Sequence, residues 1–234
     1  MALPKLESPT YELELPSTQK KIKYRPFLVK EQKILLMAQE SEDEKQIQNS
    51  ISELVTSCTF GKIDTQTTPI FDIEYIFLKL RGKSVGEKIE LSILCPDDEK
   101  TRIPIKINLE DINVQMTVGH TNEVKLTEDI TVYLTYPTVE SMNLSTGAKD
   151  TDVMFKVLNT CVSEIHWGDK IYHQADFSDK ELTEFFEQFT MDQMNKVLDF
   201  FNSMPKLRHV ISVVNPKTKV KSEVTLEGLN SFLG

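Results

Sequence analysis

The sequence is poor in the side chains that most often do chemistry: its 234 residues include three cysteines, four histidines and one tryptophan. Cys58, Cys95 and Cys161 stand far apart, with no CxxC among them. An odd, sparse set of thiols argues against a disulfide framework and suits a reducing compartment. No glycine-rich phosphate loop or nucleophile elbow occurs among the eight glycines. No apolar run approaches the roughly 20 residues of a membrane helix. The opening MALPKLESPTYELELP lacks the charged start and apolar core of a signal peptide, so a cytoplasmic protein is expected. Positive charge is also short. The net charge is -9, whereas nucleic-acid backbones and anionic membranes reward a basic surface. Neither is expected as a partner.

What is present is an ordinary globular balance, 39% hydrophobic and 27% charged residues, enough for one large domain or two small ones. Tyr11, Leu13 and Leu15 alternate with Glu12 and Glu14. After Pro16-Ser17-Thr18 the alternation resumes at Ile22 and Tyr24, which predicts a hairpin. From Leu28 the period changes. Ile34, Leu35, Met37 and Ala38 fit one face of a helix, and Ile47, Ile51, Leu54, Val55 and Cys58 fit one face of the next. Pro69 opens a third helix over 70–81, apolar on nearly all sides, which should be the central buried helix; Gly82, Ser84 and Gly86 should end it. Strands at Ile89–Ile93 and Ile103–Ile107 follow, joined by Cys95-Pro96-Asp97-Asp98. Short strands are expected at 114–118 and 132–136. Past Pro137 the pattern is helical over 153–161, 179–189 and 191–201, and a last hairpin joins 210–214 to 220–226. The fold class is α+β.

An offset of 120 aligns Phe71–Pro96 with Met191–Pro216 without a gap. Asp72 falls on Asp192, Leu78 on Leu198, Ser92 on Ser212 and Pro96 on Pro216. The order of helix, hairpin and exit phrase repeats as well, with Asn108-Leu109-Glu110-Asp111-Ile112 answering Thr225-Leu226-Glu227-Gly228-Leu229. This predicts two related helix-plus-hairpin modules, 1–136 and 137–234, joined near Pro137.

Candidate sites are few. A hairpin tip beginning Cys-Pro is where a zinc ribbon places its CPxC knuckle, because paired thiolates across a tight turn suit tetrahedral zinc. The tips here, Cys95-Pro96-Asp97-Asp98 and Asn215-Pro216-Lys217-Thr218, carry one thiol and none, and the return strands add no Cys or His. No metal ligand is assigned, although the outline keeps a degenerate zinc-ribbon binding module as an alternative. His166-Trp167-Gly168-Asp169, with His173 close by, offers a His–Asp pair of the kind that serves as a base and its orienter. The plain alternative is a surface loop between helices with Trp167 tucked onto the core. No nucleophile or phosphate loop accompanies it, so no catalytic residue and no cofactor are assigned. Phe185-Phe186 and Phe200-Phe201, on neighbouring amphipathic helices, are either core or in part an interface patch for a partner subunit. Cys58 lies on an apolar helix face, as a small core residue does.

The opening MALPKLESPTYELELPSTQKKIKYRPFLVKEQKILLMAQESEDE, then SCTFGKID, then FDIEYIFLKLRGKSVGE, resemble the baseplate hub proteins of T-even-type bacteriophages. YRPFLVKEQK and LRGKSVGE are the most specific phrases, and a weaker likeness reaches the C-terminal TLEGLNSF. The resemblance implies a non-enzymatic protein of the central hub of a contractile-tail baseplate. It would be assembled in the host cytoplasm and would work through contacts with other phage hub and tail proteins. An assembly factor absent from the finished virion is the alternative role. Some relatives are similar to zinc ribbons at the hairpin tips, and this chain departs from that at both tips. The surfaces expected to make contacts are the N-terminal hairpin, the end of the 70–81 helix and the Phe-rich C-terminal helices.

Overall fold

The computed structural model describes residues 6–41, 43–143 and 150–232. In chain order its elements are β1 (Tyr11–Glu14), β2 (Lys21–Tyr24), α1 (Val29–Glu40), α2 (Glu44–Cys58), α3 (Ile70–Ser84), β3 (Lys88–Leu94), β4 (Arg102–Asn108), β5 (Asn113–Gln115), β6 (Glu123–Lys125) and β7 (Ile130–Leu134). There follow α4 (Val139–Asn143), α5 (Asp150–Cys161), β8 (Val162–Trp167), β9 (Lys170–His173), α6 (Asp179–Glu187), α7 (Met191–Ser203), β10 (Lys206–Val214) and β11 (Lys221–Glu227). Single 3-10 turns at Leu109–Asp111 and Leu229–Phe232 follow the second and last hairpins. Among the described residues the strands form four small antiparallel sheets, ordered β1-β2, β3-β4, β11-β10-β5 and β6-β7-β8-β9. The fold is α+β.

The chain divides into two compact units, grouped differently from a cut at 136/137. The first takes residues up to 65, 71–115 and from 206 onward; the second takes 66–70 and 116–205. The C-terminal hairpin joins the first unit because β10 pairs with β5, Leu207 lying opposite Val114. The order of helix, hairpin and 3-10 turn does recur, as α3-β3-β4 and α7-β10-β11, but α7 falls in the second unit and its hairpin in the first.

In the first unit α3 is the central helix. Ile73, Ile76, Phe77, Leu78 and Leu80 are all buried, in one cluster with Leu13, Val55, Ile89, Leu91, Ile107, Leu207 and Leu226. None of its residues is exposed, so the helix is enclosed on every side, its polar side chains included. It runs through Gly82 to Ser84, because a helical glycine costs about 1 kcal/mol without breaking the helix. The stop comes at Gly86, whose φ of 141° suits glycine.

α1 departs from the simple face reading. Its buried stripe is Glu31, Leu35 and Ala38, while Ile34 and Met37 face outward with Leu36.

The three hairpins of this unit share one tip. Each begins Xaa-Pro, at Leu15-Pro16, Cys95-Pro96 and Asn215-Pro216, and each has a left-handed residue four places after Xaa: Gln19, Glu99 and Lys219, with φ of 57°, 50° and 67°. In each, the N–H of that residue donates to the Xaa carbonyl at 2.8, 3.0 and 2.9 Å. The Xaa N–H in turn donates to Lys20, Thr101 and Val220 carbonyl oxygens at 2.9, 2.8 and 3.0 Å. The repeat at 95 and 215 therefore has a third member at 15.

In the second unit Val132, Leu134, Val162 and Ile165 of the four-stranded sheet pack with Leu158, Leu182, Phe186, Val197 and Phe200 of α5, α6 and α7. The segment expected as a loop around His166 is the hairpin β8-β9, closed by Gly168 and Asp169. A register shift beside Leu134 pairs it with Val162 while Tyr133 pairs with Glu164. That bulge turns Val162 and Ile165, three residues apart, into the same core, so no period-2 alternation marks the strand. Trp167 is 57% exposed and does not cover the core. Phe186 and Phe200 are buried, and Phe185, Phe189 and Phe201 pack half-buried against the same cluster.

Candidate functional site

Polar side chains on α3 reach the tip or exit of each hairpin in the first unit. Asp72 accepts the Ser17 N–H at 3.1 Å and the Ser17 hydroxyl, at the β1-β2 tip. Lys79 donates to the carbonyl oxygens of Leu109, Glu110 and Ile112 at 3.3, 3.1 and 3.1 Å, after β4. Glu74 accepts the Leu229 N–H at 3.0 Å and Arg81 donates to the Phe232 carbonyl at 3.0 Å, after β11. Ser84 accepts the Phe27 N–H at 2.9 Å, just past β2. Burial raises the Asp72 and Glu74 carboxyls and lowers the Lys79 and Arg81 cations. These hydrogen bonds partly offset that cost.

A second node lies at the start of α1. Glu31, 7% exposed, receives Arg25 as a fork, Nη2 to Oε1 at 2.7 Å and Nη1 to Oε2 at 3.0 Å. The Ser57 hydroxyl and the Leu28 N–H donate to it at 2.8 and 2.6 Å. The Arg25 hydrogen bond holds the Glu31 carboxyl down at about 2. Burial pushes the adjacent Cys58 thiol up to about 11, and Cys161 up to about 12. Neither is a ready thiolate.

The hairpin tips hold a clasp. Asn215, buried, donates Nδ2 to both carboxylate oxygens of Asp97 at 3.1 Å, and the Thr218 hydroxyl donates to Asp97 as well. The Asn215 Oδ1 accepts the Lys217 and Thr218 N–H groups at 2.9 and 3.4 Å. Asp98 caps its own turn, accepting from the Lys100 and Thr101 N–H groups and the Thr101 hydroxyl. Cys95 is fully buried beside these turns. Where a zinc knuckle would set thiolates, this chain joins its two tips through a carboxylate, an amide and a hydroxyl. Among the described residues no group of three His, Cys, Asp or Glu side chains is placed to hold a metal ion, and no helix is long and apolar enough to cross a membrane.

His166 does not use Asp169 as its orienter. Its Nε2 lies 2.8 Å from Glu164 Oε2, and His173 Nδ1 lies 3.4 Å from Glu164 Oε1. Two strand histidines thus share a carboxylate that a sequence scan for a nearby Asp passes over; the signal was the i, i+2 spacing of Glu164 and His166. The adjacent Ser163 hydroxyl donates to the Tyr133 carbonyl at 3.0 Å. His120 packs its ring against Phe200 and Tyr136 at 5.1 and 5.7 Å, with Nδ1 3.0 Å from the Ser203 hydroxyl.

The polar groups of the first unit described above are bonded to backbone and to each other. A family model described as T4 bacteriophage base plate protein matches residues 8–234. The chain belongs to that family. No curated protein and no solved structure matches it. In this baseplate protein the phrases YRPFLVKEQK, SCTFGKID and LRGKSVGE meet in space. Arg25 and Glu31 come from the first and Ser57 from the second, while Ser84 of the third holds the backbone of Phe27. TLEGLNSF is the phrase held by Glu74 and Arg81.

Proposed function

We propose that this baseplate protein is a non-enzymatic component of the central hub, acting through contacts with other hub and tail proteins. The family match over 8–234 carries the reading, and the likeness of its most specific phrases to hub proteins supports the narrower placement. A non-catalytic role is supported by where the polar side chains go. The histidines nearest to a catalytic arrangement answer to Glu164, and the hydroxyl beside them is bonded to a carbonyl. The partly packed Phe-rich helices leave less apolar surface for partners than the sequence promised. Exposed Leu94 and Val214 beside the clasped tips, and Trp167 and Ile171 on the β8-β9 hairpin, extend the set of contact candidates.

Co-expression with the other hub subunits, followed by a pull-down, tests this directly: capture of none of them overturns the hub reading. Mass spectrometry of purified virions separates two roles. Peptides of this chain in the virion fit a structural subunit, and their absence fits an assembly factor that departs. A phage carrying His166→Ala should form plaques normally; loss of plaques with the protein still folded would revive a catalytic role.

A further inference from the structure

Exposed apolar side chains crowd α1. Val29 is 83% exposed and Met37 60%, with Leu28, Ile34 and Leu36 exposed alongside. The Ser84–Phe27 bond brings exposed Val85 to the same end. Single exposed apolar residues are ordinary, but six from two adjoining segments form a patch that calls for a cover.

The charges on this helix say what the cover is. Lys30 and Lys33 are exposed in its first half, Glu40 is exposed in its last turn, and no basic residue lies in that turn. Glu42, Asp43 and Glu44 come next in sequence. The acid near its start, Glu31, is buried on Arg25. Positive charge near the N-terminus and negative charge near the C-terminus oppose the helix dipole and weaken a lone helix. The same pattern is self-complementary once a second helix runs antiparallel. Lys30 and Lys33 of one copy then approach the Glu40 end of the other, and Ile34, Leu36 and Met37 lie near the middle of both.

We propose that α1 is a self-association surface, through which two copies of this chain pair antiparallel. The inference does not depend on the hub reading. A helix of 12 residues is about 18 Å long, so the contact falls below the roughly 1,200–2,000 Å² of a standard interface. The dimer is therefore weak, concentration-dependent and loosened by salt.

Sedimentation equilibrium of the full chain, over a range of protein and NaCl concentrations, should show a monomer–dimer equilibrium that shifts to monomer as salt rises. Met37→Glu, at an exposed position, should raise the dissociation constant by about tenfold or more with an unchanged thermal melt. Lys30→Glu with Lys33→Glu should weaken pairing, and adding Glu40→Lys should recover part of the loss. Met37→Cys should give a disulfide-linked dimer under mild oxidation, whereas Val118→Cys, at a more open position of the second unit, should not. A monomer at every concentration, or a dimer indifferent to Met37→Glu, overturns the proposal. So does a monomer in which Met37→Glu abolishes capture by another hub protein, since α1 would then serve a different partner.

Discussion

Arg25 and Glu31 show how much one residue pair can decide. Each is held in a fork with both its hydrogen bonds made, and Ser57 and the α1 backbone complete the carboxylate. Removing one partner of such a pair leaves a buried charge alone, at a cost of about 3–5 kcal/mol. Arg25→Met should therefore lower the melting temperature by about 6–20 °C, as read by calorimetry. The pH dependence has a definite sign. The folded Glu31 carboxyl sits at about 2 against an ordinary 4.5, so its contribution is complete above 4.5 and is lost as pH falls from there toward 2. Glu31→Gln should flatten the acid limb of the stability–pH curve in that window; an unchanged limb would count against the fork. His120 works in a higher window. Burial lowers its pKa, so the unfolded chain takes up the proton first and stability falls as pH drops through the ordinary histidine range.

At the scale of elements, the recurring hairpin tip gives a matched set of tests. Gln19, Glu99 and Lys219 are non-glycine residues in left-handed backbone, a conformation that a side chain makes costly by about 1 kcal/mol. Lys219→Gly should stabilise the protein slightly to denaturant, and Gln19→Gly should do the same. Gly82→Ala should also stabilise, by about 1 kcal/mol, because the added carbon would meet Leu109 at 3.9 Å, an ordinary contact. Asn215→Ala removes the clasp and the turn cap together and should cost about 1–3 kcal/mol, with faster amide exchange at Lys219. Much of this level was legible. Alternation at Ile89, Leu91 and Ile93, the apolar run of α3 and the Pro-marked turns each have one local cause, and those elements formed as expected. β8 was hidden by its bulge. The outward turn of Ile34 and Met37 was hidden because Glu31, a charged residue, holds the inner stripe of α1. The tip clasp joins Asp97 to residues more than a hundred positions away, and no local pattern reports a contact at that distance.

At the scale of the molecule, the phrases that carry the likeness to hub proteins lie inside the first unit, where they hold α3, α1 and the hairpin exits together. The most recognisable sequence thus describes the frame and one open face, since YRPFLVKEQK and LRGKSVGE also hold exposed Leu28, Val29 and Val85; further open surface lies at the hairpin ends and Trp167. Substitutions at exposed Trp167 or Leu94 should leave the melt unchanged and reduce capture by any baseplate protein that docks there; a lowered melt instead would mark them as part of the frame. The pairing of β5 with β10 also has a consequence for the order in which the molecule can be made. The second unit has all its residues once synthesis passes 205, but the first still lacks two of its strands and the groups that Glu74 and Arg81 hold. A nascent chain at that point holds every residue of the second unit and only part of the first, with β5 still lacking β10 as its partner. Folding of the first unit is thus tied to completion of the chain, and every interruption of translation between 116 and 205 releases a molecule whose frame cannot close.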